Sequence, residues 1–317
     1  MTSTPIALLG AGPWGRTIAS AISATPGVSL AAVVSSSAKT RRKFDLKIPI
    51  FEDWRRAIDA TGAVGVVIAL PPMHQSKYAV ELIEHSMPVM LEKPMSDSIA
   101  GADAIRAAAL KHGFTGLVNH LHLYAPAFRK LLISISNSTG PRTIQAVAGA
   151  RGPCRSEWNP VWDWAGHDLA MALSAIAAEP LEIWAQPDAP IIEENLRYQN
   201  FRIDLSFRDG SRALLHLGNA FEHKIREFSI SVGGSTGCYR ETEQGEISLS
   251  IGGSDRNNIC TGVESRPLNA ALIAFAERIR SGGGIEDIEM GARVVRLIEA
   301  AERSIQVGMP ISTRKGG

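Results

Sequence analysis

The amino-acid sequence predicts an α/β domain followed by an α+β domain with an open, mainly antiparallel sheet. Short apolar runs alternate with amphipathic helical patterns up to about residue 120, which is typical of a parallel sheet covered by helices. Beyond that point strands and tight turns dominate, and two helices finish the pattern. We therefore expect a first domain over residues 1–120 and a second over residues 121–317.

Composition argues against several classes of protein. The chain has 317 residues, of which 45% are hydrophobic and 21% charged, as in ordinary globular proteins. A net charge of +1 without a basic block argues against a nucleic-acid partner. No apolar run is long enough for a membrane span or a signal peptide. Three scattered cysteines fit a reducing compartment and no metal site, so we expect a cytoplasmic protein without a membrane partner.

The first domain opens with a strand, a glycine-rich turn and a helix. The strand over residues 6–9 runs into a G-x-G-x-x-G motif, and residues 14–23 form the helical pattern. Gly10 would permit the tight turn, and Gly12 would let a pyrophosphate approach the backbone. Gly15 would let the helix pack closely against the strand. A tight turn without a ligand is the alternative interpretation. The dinucleotide contacts that the motif predicts are Gly10, Gly12, Pro13, Trp14 and Gly15.

The end of the second strand bears on the choice of cofactor. The strand over residues 30–34 is followed by Ser35, Ser36 and Ser37 and then by a basic segment that contains Arg42. An NAD site usually has a carboxylate here for the ribose 2′-hydroxyl, whereas hydroxyls and cations suit the 2′-phosphate of NADP. We therefore favour NADP over NAD. The alternative interpretation is a solvated, basic first turn of the next helix.

A strand–helix–strand unit over residues 64–94 is expected to bring two loops to one sheet edge. Its helical pattern covers residues 75–86, between two apolar runs of strand length. The carboxyl ends of parallel strands share an edge, and open α/β sheets bind ligands there. The loop residues are Leu70, Pro71, Pro72 and His74 after the first strand and Glu92, Lys93 and Pro94 after the second.

The remaining patterns complete both domains. A helix over residues 98–111 and a strand over residues 115–118 give six strands alternating with helices, which is a Rossmann-type domain. Residues 201–217 read as a β-hairpin around a turn at residues 208–211. The helices predicted in the second part cover residues 125–135, 163–178, 268–281 and 288–307.

Taken together, these motifs resemble the glucose–fructose oxidoreductase / inositol dehydrogenase / MocA (Gfo/Idh/MocA) family. The resemblance covers nearly the whole chain and rests on the glycine motif, Glu92-Lys93-Pro94 and the segment 162–168. It implies NAD(P)-dependent oxidoreduction with Lys93, Asp163 and His167 at the active site, and nicotinamide held by the prolyl loop. It also implies a cis peptide bond before Pro94. The chain departs from the family pattern at Ala170, often an aspartate, and at residues 119–124, often arginine-bearing.

The residues themselves support this chemistry. Hydride transfer from an alcohol carbon needs a base for the hydroxyl proton and a cation or donor for the oxygen. His167 follows Asp163 by four residues, so both project from one helix face, and a carboxylate beside an imidazole raises its basicity. His167 is the predicted acid/base and Lys93 the oxygen-side partner, although exchanged roles stay open. The structural alternatives are a surface Lys93 paired with Glu92 and a core His167 capped by a carboxylate.

The predicted protein is thus an NAD(P)-dependent oxidoreductase acting on a sugar, polyol or sugar derivative. Two alternatives use the same scaffold: a catalytically silent nucleotide-binding regulator, and an enzyme that oxidises and re-reduces its substrate within one cycle. Retention of Lys93 and His167 argues against the regulator. A homodimer or homotetramer is expected, because a one-layer sheet exposes one face unless a partner covers it. The residues without an assigned role are His120, His122, Trp158, Trp162 and Trp164.

Overall fold

The structure, a computed structural model, describes residues 3–37, 44, 47–154, 159–252, 258–260 and 262–313. Arg42, a predicted cofactor contact, and Trp158 lie outside these residues. The chain forms two compact units. The first unit combines residues 1–124 with 266–295, and the second combines residues 125–265 with 296–317.

The first unit contains a parallel sheet of six strands. Its strands are β1 Thr4–Leu9, β2 Val28–Val34, β3 Ile50–Phe51, β4 Gly65–Ile68, β5 Val89–Leu91 and β6 Gly116–Val118. Its first helices are α1 Pro13–Ala24, α2 Trp54–Thr61, α3 Pro72–Glu84 and α4 Ile99–His112, followed by a 3₁₀ turn at Leu121–Tyr124. The strand order β3-β2-β1-β4-β5-β6 reverses between β1 and β4, and doubly wound folds bind ligands at such a switch point. The predicted Rossmann domain is confirmed.

The two helices beside the switch point, α1 and α3, begin differently from α2 and α4. Asp53 caps α2 by accepting from the amides of the first turn, and Ser98 caps α4 in the same way. Gly12 and Pro71 cap α1 and α3, and neither contributes a side-chain hydrogen bond. Both helices have a proline at the start, where its fixed φ suits the first turn. Their first-turn amides therefore face the ligand edge without a side-chain acceptor from the cap residue.

The second unit contains a nine-stranded sheet. The strands of this part of the chain are β7 Thr143–Arg151, β8 Pro180–Pro187, β9 Ile191–Glu193, β10 Leu196–Tyr198, β11 Asn200–Phe207, β12 Arg212–Gly218, β13 Ala220–Val232, β14 Ser235–Glu241, β15 Ile247–Ile251, β16 Asn258–Cys260 and β17 Ile311–Ser312. The sheet order is β16-β15-β14-β13-β7-β12-β11-β8-β17, with β9 and β10 forming a separate hairpin. The pair β7–β12 is parallel and the other neighbouring pairs are antiparallel. The predicted open, mainly antiparallel sheet is confirmed.

The C-terminal helices do not all belong to the second unit. The later helices are α5 Pro126–Ser134, α6 Pro160–Ala175, α7 Pro267–Ser281 and α8 Ile285–Val307. The sequence-based division gave everything after residue 120 to the second domain, whereas residues 121–124 and 266–295 group with the first unit. The physical reason is the apolar stripe of α7, because Leu272 and Phe275 are fully buried in the same core as Ile6 and Ile18. None of the helices in the described ranges has the length and apolar character to cross a membrane.

Candidate active site

Two residues of the glycine-rich turn (residues 10–15) must be glycine because of the chain's own backbone. Gly10 has a φ of +122°, and a Cβ there would lie 2.3 Å from the carbonyl oxygen of Ala69. A Cβ at Gly15 would lie 2.2 Å from the carbonyl oxygen of Gly10. The tight turn and the close helix–strand packing that the motif predicts are therefore both present.

Gly12 has a different environment. Among the described residues, no atom lies within 4 Å of the position that its Cβ would occupy. Gly12 is also the N-cap of α1, and the first turn of this helix contains no acidic residue. Open space beside uncapped amides, at the positive end of a helix, is what an approaching diphosphate requires. Internal packing therefore does not require glycine at position 12.

The prolyl loop (residues 70–74) lies against the glycine-rich turn. A Cβ at Gly10 would come within 3.4 Å of Leu70, which is half-buried. Pro71 and the buried Pro72 start α3, and the exposed His74 donates its backbone N–H to the carbonyl of Pro71 over 2.9 Å. The structure therefore brings together the two loops that the sequence places after β1 and β4.

The serines after β2 occupy the place where a dinucleotide site often has a carboxylate. Ser35 is half-buried, and its hydroxyl accepts from the amide of Ser37 at 3.3 Å. Ser36 and Ser37 are exposed. The backbone N–H of Ser35 donates to Phe51 in the neighbouring strand at 2.9 Å, so the turn is fixed to the sheet. This corner therefore presents hydroxyl groups and no acidic side chain from residues 35–37.

The segment that carries Lys93 is fixed by α3. The Lys93–Pro94 peptide bond is cis, as predicted. The buried side chain of Gln75 donates to the carbonyl of Pro94 at 2.9 Å, and the hydroxyls of Ser76 and Ser96 are 3.0 Å apart. Lys93 itself is half-buried and follows β5 at the ligand edge of the sheet. Its backbone position is therefore set by the helix that the prolyl loop begins.

Glu92 is buried beside Lys93. The amide of Asn119 donates to a carboxyl oxygen of Glu92 at 2.6 Å. Burial raises the pKa of Glu92, while the hydrogen bond from Asn119 and the charge of Lys93 act in the opposite direction. The sequence predicted Glu92 at the cofactor site but did not indicate its hydrogen bond with Asn119.

His120 joins the same cluster at the end of β6. Its side chain is 1% exposed, and burial together with the charge of Lys93 lowers the pKa of His120 to about 3. The imidazole is therefore neutral at neutral pH. His122 is also buried. Neither histidine has a role predicted from the sequence, although the position of His120 directly after Asn119, at the end of β6, is a signal that could have indicated one.

Asp163 and His167 lie one turn apart on α6, in the second unit. Asn159 caps this helix, and both side chains are half-buried. The spacing places them on one face of the helix, as predicted. The neighbouring Trp162 is buried, and its indole donates to Glu302 at 3.0 Å, which anchors the first turn of α6.

Asp168 forms a buried ion pair directly after His167. One guanidinium nitrogen of Arg226 lies 2.8 and 2.9 Å from the two carboxylate oxygens of Asp168. Burial disfavours the charge of Arg226, but the carboxylate of Asp168 outweighs it, and the pKa of Arg226 is raised. The pair connects α6 to β13, so Asp168 stabilises the helix that carries His167.

Comparison with known proteins agrees with this fold and edge geometry. The family model GFO_IDH_MocA, described as an oxidoreductase family with an NAD-binding Rossmann fold, matches residues 5–120. The fold is therefore that of an oxidoreductase with a nicotinamide-dinucleotide-binding domain. This range includes the glycine-rich turn, the prolyl loop and Lys93. Residues 5–120 therefore match the NAD-binding Rossmann domain of this oxidoreductase family.

Similarity to individual proteins extends over the whole chain. The uncharacterized oxidoreductase YrbE of Bacillus subtilis (strain 168) is 21% identical over 328 residues, which cover 96% of this chain and 95% of that protein. A proposed oxidoreductase from Magnetospirillum magnetotacticum MS-1 is 27% identical, with a TM-score of 0.78 over 94% of this chain and 99% of the other.

Two further solved structures share the fold. A proposed NADPH-dependent oxidoreductase from Desulfitobacterium hafniense DCB-2 is 16% identical, with a TM-score of 0.82 over 99% and 98% of the two chains. The aldose–aldose oxidoreductase from Caulobacter crescentus, solved with glycerol, is 18% identical, with a TM-score of 0.78 over 98% and 99%. At these identities the likeness concerns the fold alone.

Proposed function

We propose that this protein transfers a hydride between NADP(H) and a hydroxyl or carbonyl carbon of a sugar, polyol or sugar derivative. The observation that carries the proposal is the position of Lys93, a half-buried cation on the sheet edge that also bears the glycine-rich turn and the prolyl loop. A cation at that place stabilises negative charge on a reacting oxygen. The shared fold of the aldose–aldose oxidoreductase supports a sugar substrate, and that of the NADPH-dependent relative supports the cofactor.

The proposed roles divide the reaction among few residues. The glycine-rich turn, the serines after β2, the prolyl loop and Glu92 hold the cofactor, which accepts or supplies the hydride when bound. In the direction of oxidation, His167 takes the hydroxyl proton while the carbon loses its hydride. Lys93 stabilises the charge that develops on the oxygen, and Asp163 orients the imidazole of His167.

A substrate screen tests the proposal. The protein is mixed with aldoses, polyols and sugar nucleotides, and the absorbance of the reduced nicotinamide is followed in both directions. We expect one group of sugars to give turnover that Lys93→Ala lowers by about 10²–10⁴-fold. Binding of NADPH without turnover of any compound would favour the silent regulator. Conversion of a sugar without net change in the cofactor would favour oxidation and re-reduction within one cycle.

We expect the native protein to bind NADPH more tightly than NADH, because exposed hydroxyls and no carboxylate follow β2. Replacing Ser36 with Asp should weaken NADPH binding by about 10–100-fold, the usual effect of a lost or opposed hydrogen bond to a charged group. NADH should then be preferred. Ser20→Asp, which adds the same charge on the exposed side of α1, is the matched control. Equal or tighter binding of NADH by the native protein in calorimetry would contradict the assignment.

We also propose that two or four copies associate through one face of the nine-stranded sheet. Trp184, Asp204 and Leu214 lie side by side on three strands, and both apolar members are exposed, at 37% and 40%. Light scattering at micromolar concentration should give a dimer or tetramer, and Trp184→Glu should shift the mass toward the monomer. Ile133→Glu, on an exposed position of α5, should leave the mass unchanged. A monomeric native protein would rule out this association.

A further inference from the structure

The side chain of Arg16 folds back onto the glycine-rich turn. Arg16 lies in the first turn of α1, where its backbone N–H donates to the carbonyl oxygen of Gly12 at 3.0 Å. Its guanidinium group is half-buried and donates to the carbonyl oxygen of Ala11 at 3.4 Å. Ala11 itself is only 3% exposed. The positive charge of Arg16 is therefore held beside the turn that precedes the helix.

The contact with Ala11 orients a peptide unit that can face a ligand. The carbonyl of Ala11 and the N–H of Gly12 belong to one planar trans peptide, so they point in opposite directions. Holding the oxygen of Ala11 therefore fixes the direction of the N–H of Gly12. No hydrogen bond joins the N–H groups of Gly12, Trp14 or Gly15 to an acceptor in the part of the chain that the structure describes. Such donors at the start of a helix commonly bind phosphate.

The charge of Arg16 complements these donors. A dinucleotide diphosphate is negatively charged on both phosphates, whereas the start of a helix supplies only about half a positive charge. Residues 10–15 contain no charged side chain, and no carboxylate among the described residues pairs with Arg16. A guanidinium group has several N–H donors, and the contact with Ala11 occupies only part of them. The other donors suit phosphate oxygens, which guanidinium groups bind at two points.

We propose that Arg16 is a binding residue for the diphosphate of the cofactor. Its charge attracts the diphosphate, and its contact with Ala11 directs the N–H of Gly12 toward it. The ligand group is the diphosphate and not the 2′-phosphate of NADP, because the guanidinium contacts the turn itself. The inference deepens the proposed function and rests on it in one respect, that the glycine-rich turn binds a dinucleotide.

The affinities of three ligands test this role. ADP-ribose, NADH and NADPH share the diphosphate, and only NADPH carries the 2′-phosphate. We expect Arg16→Ala to weaken the binding of all three by a similar factor of about 10–100-fold, the usual effect of losing a hydrogen bond to a charged group. Calorimetry measures the dissociation constants, and circular dichroism verifies that the variant is folded.

The salt dependence of binding separates a charge at the site from a purely structural role. Salt weakens the attraction between a cation and a diphosphate, so the affinity for ADP-ribose should depend less on salt in Arg16→Ala than in the native protein. Arg16→Gln keeps a donor for Ala11 but no charge, and it should show the same reduced dependence. Arg56→Ala is the matched control, because it removes the same charge from an exposed position of α2 in the same unit. It should bind as the native protein does.

The outcomes distinguish failure of this inference from failure of the proposed function. Native affinity for the three ligands in Arg16→Ala would overturn the role of Arg16 and leave the proposed function intact. A loss confined to NADPH would assign Arg16 to the 2′-phosphate and would overturn the role as well. Native salt dependence in Arg16→Gln would show that the charge does not act on the diphosphate. If the native protein bound none of the three ligands, the proposed function would fail, and the inference with it.

Discussion

His167→Ala is expected to lower kcat/KM by about 10²–10⁴-fold, the usual contribution of a general acid or base. The dissociation constant for NADP(H) should change by less than about tenfold. The reason is that a group used mainly in the transition state contributes little to ground-state binding. The residues proposed to hold the cofactor lie in the first unit, whereas His167 lies on α6 of the second. Lys93→Ala should likewise lower kcat/KM by about 10²–10⁴-fold while the dissociation constant for NADP(H) changes by less than about tenfold.

Two further variants sharpen this result. Asp163→Asn should reduce activity less than His167→Ala, because Asp163 orients the imidazole and does not transfer the proton. His223→Ala, at a highly exposed position of β13, should leave both kinetics and binding unchanged. Near-normal turnover by His167→Ala on the substrate found in the screen would show that α6 does not supply the acid/base, and the regulator interpretation would gain support.

Asp168→Ala is expected to lower the free energy of unfolding by about 3–5 kcal/mol, the cost of leaving a buried charge without its partner. The side chains of Asp168 and Arg226 are 0% and 7% exposed, so solvent screens their interaction little. Urea denaturation monitored by circular dichroism measures the change. Replacing both residues, as in Asp168→Leu with Arg226→Met, should recover much of the loss because no buried charge then remains.

A surface ion pair on the same sheet provides the control. Arg212 pairs with Asp204, but its side chain is 59% exposed, so Asp204→Ala should cost no more than about 1 kcal/mol. If Asp168→Ala proved no more destabilising than Asp204→Ala, the buried pair would not be what holds α6 on the sheet. The arrangement of His167 would then need another structural explanation.

Local patterns were sufficient to predict the Rossmann domain. The apolar runs of strand length and the helical periodicity lie within single segments, and the glycine motif occurs where strand meets helix. Residues 266–295 could not be assigned in this way, because the core that buries Phe275 is formed by segments far away in the sequence. The start of β13 at Ala220 was also missed, since its register shifts between Ala220 and Ile225 and breaks the alternation.

The candidate site was predictable only in part. The order of parallel strands places Lys93 and the prolyl loop on one edge, so their common location followed from the sequence. The hydrogen bond between Glu92 and Asn119 and the neutral state of His120 did not, because they depend on side chains that lie far apart in the sequence. The start of α6 was predicted at residue 163 but lies at Pro160, since Asn159 caps the helix earlier. The preference for NADP and the association of copies stay predictions.

The most direct test of the central claim follows the hydride itself. NADPH carrying deuterium at both C4 positions of the nicotinamide is mixed with the native protein and a panel of carbonyl sugars, and products are examined by mass spectrometry. The account predicts that deuterium appears on the former carbonyl carbon of one class of sugar, with transfer slowed about 10²–10⁴-fold in His167→Ala. If the native protein binds NADPH but the label stays on the nicotinamide with every sugar, the proposed reaction is contradicted.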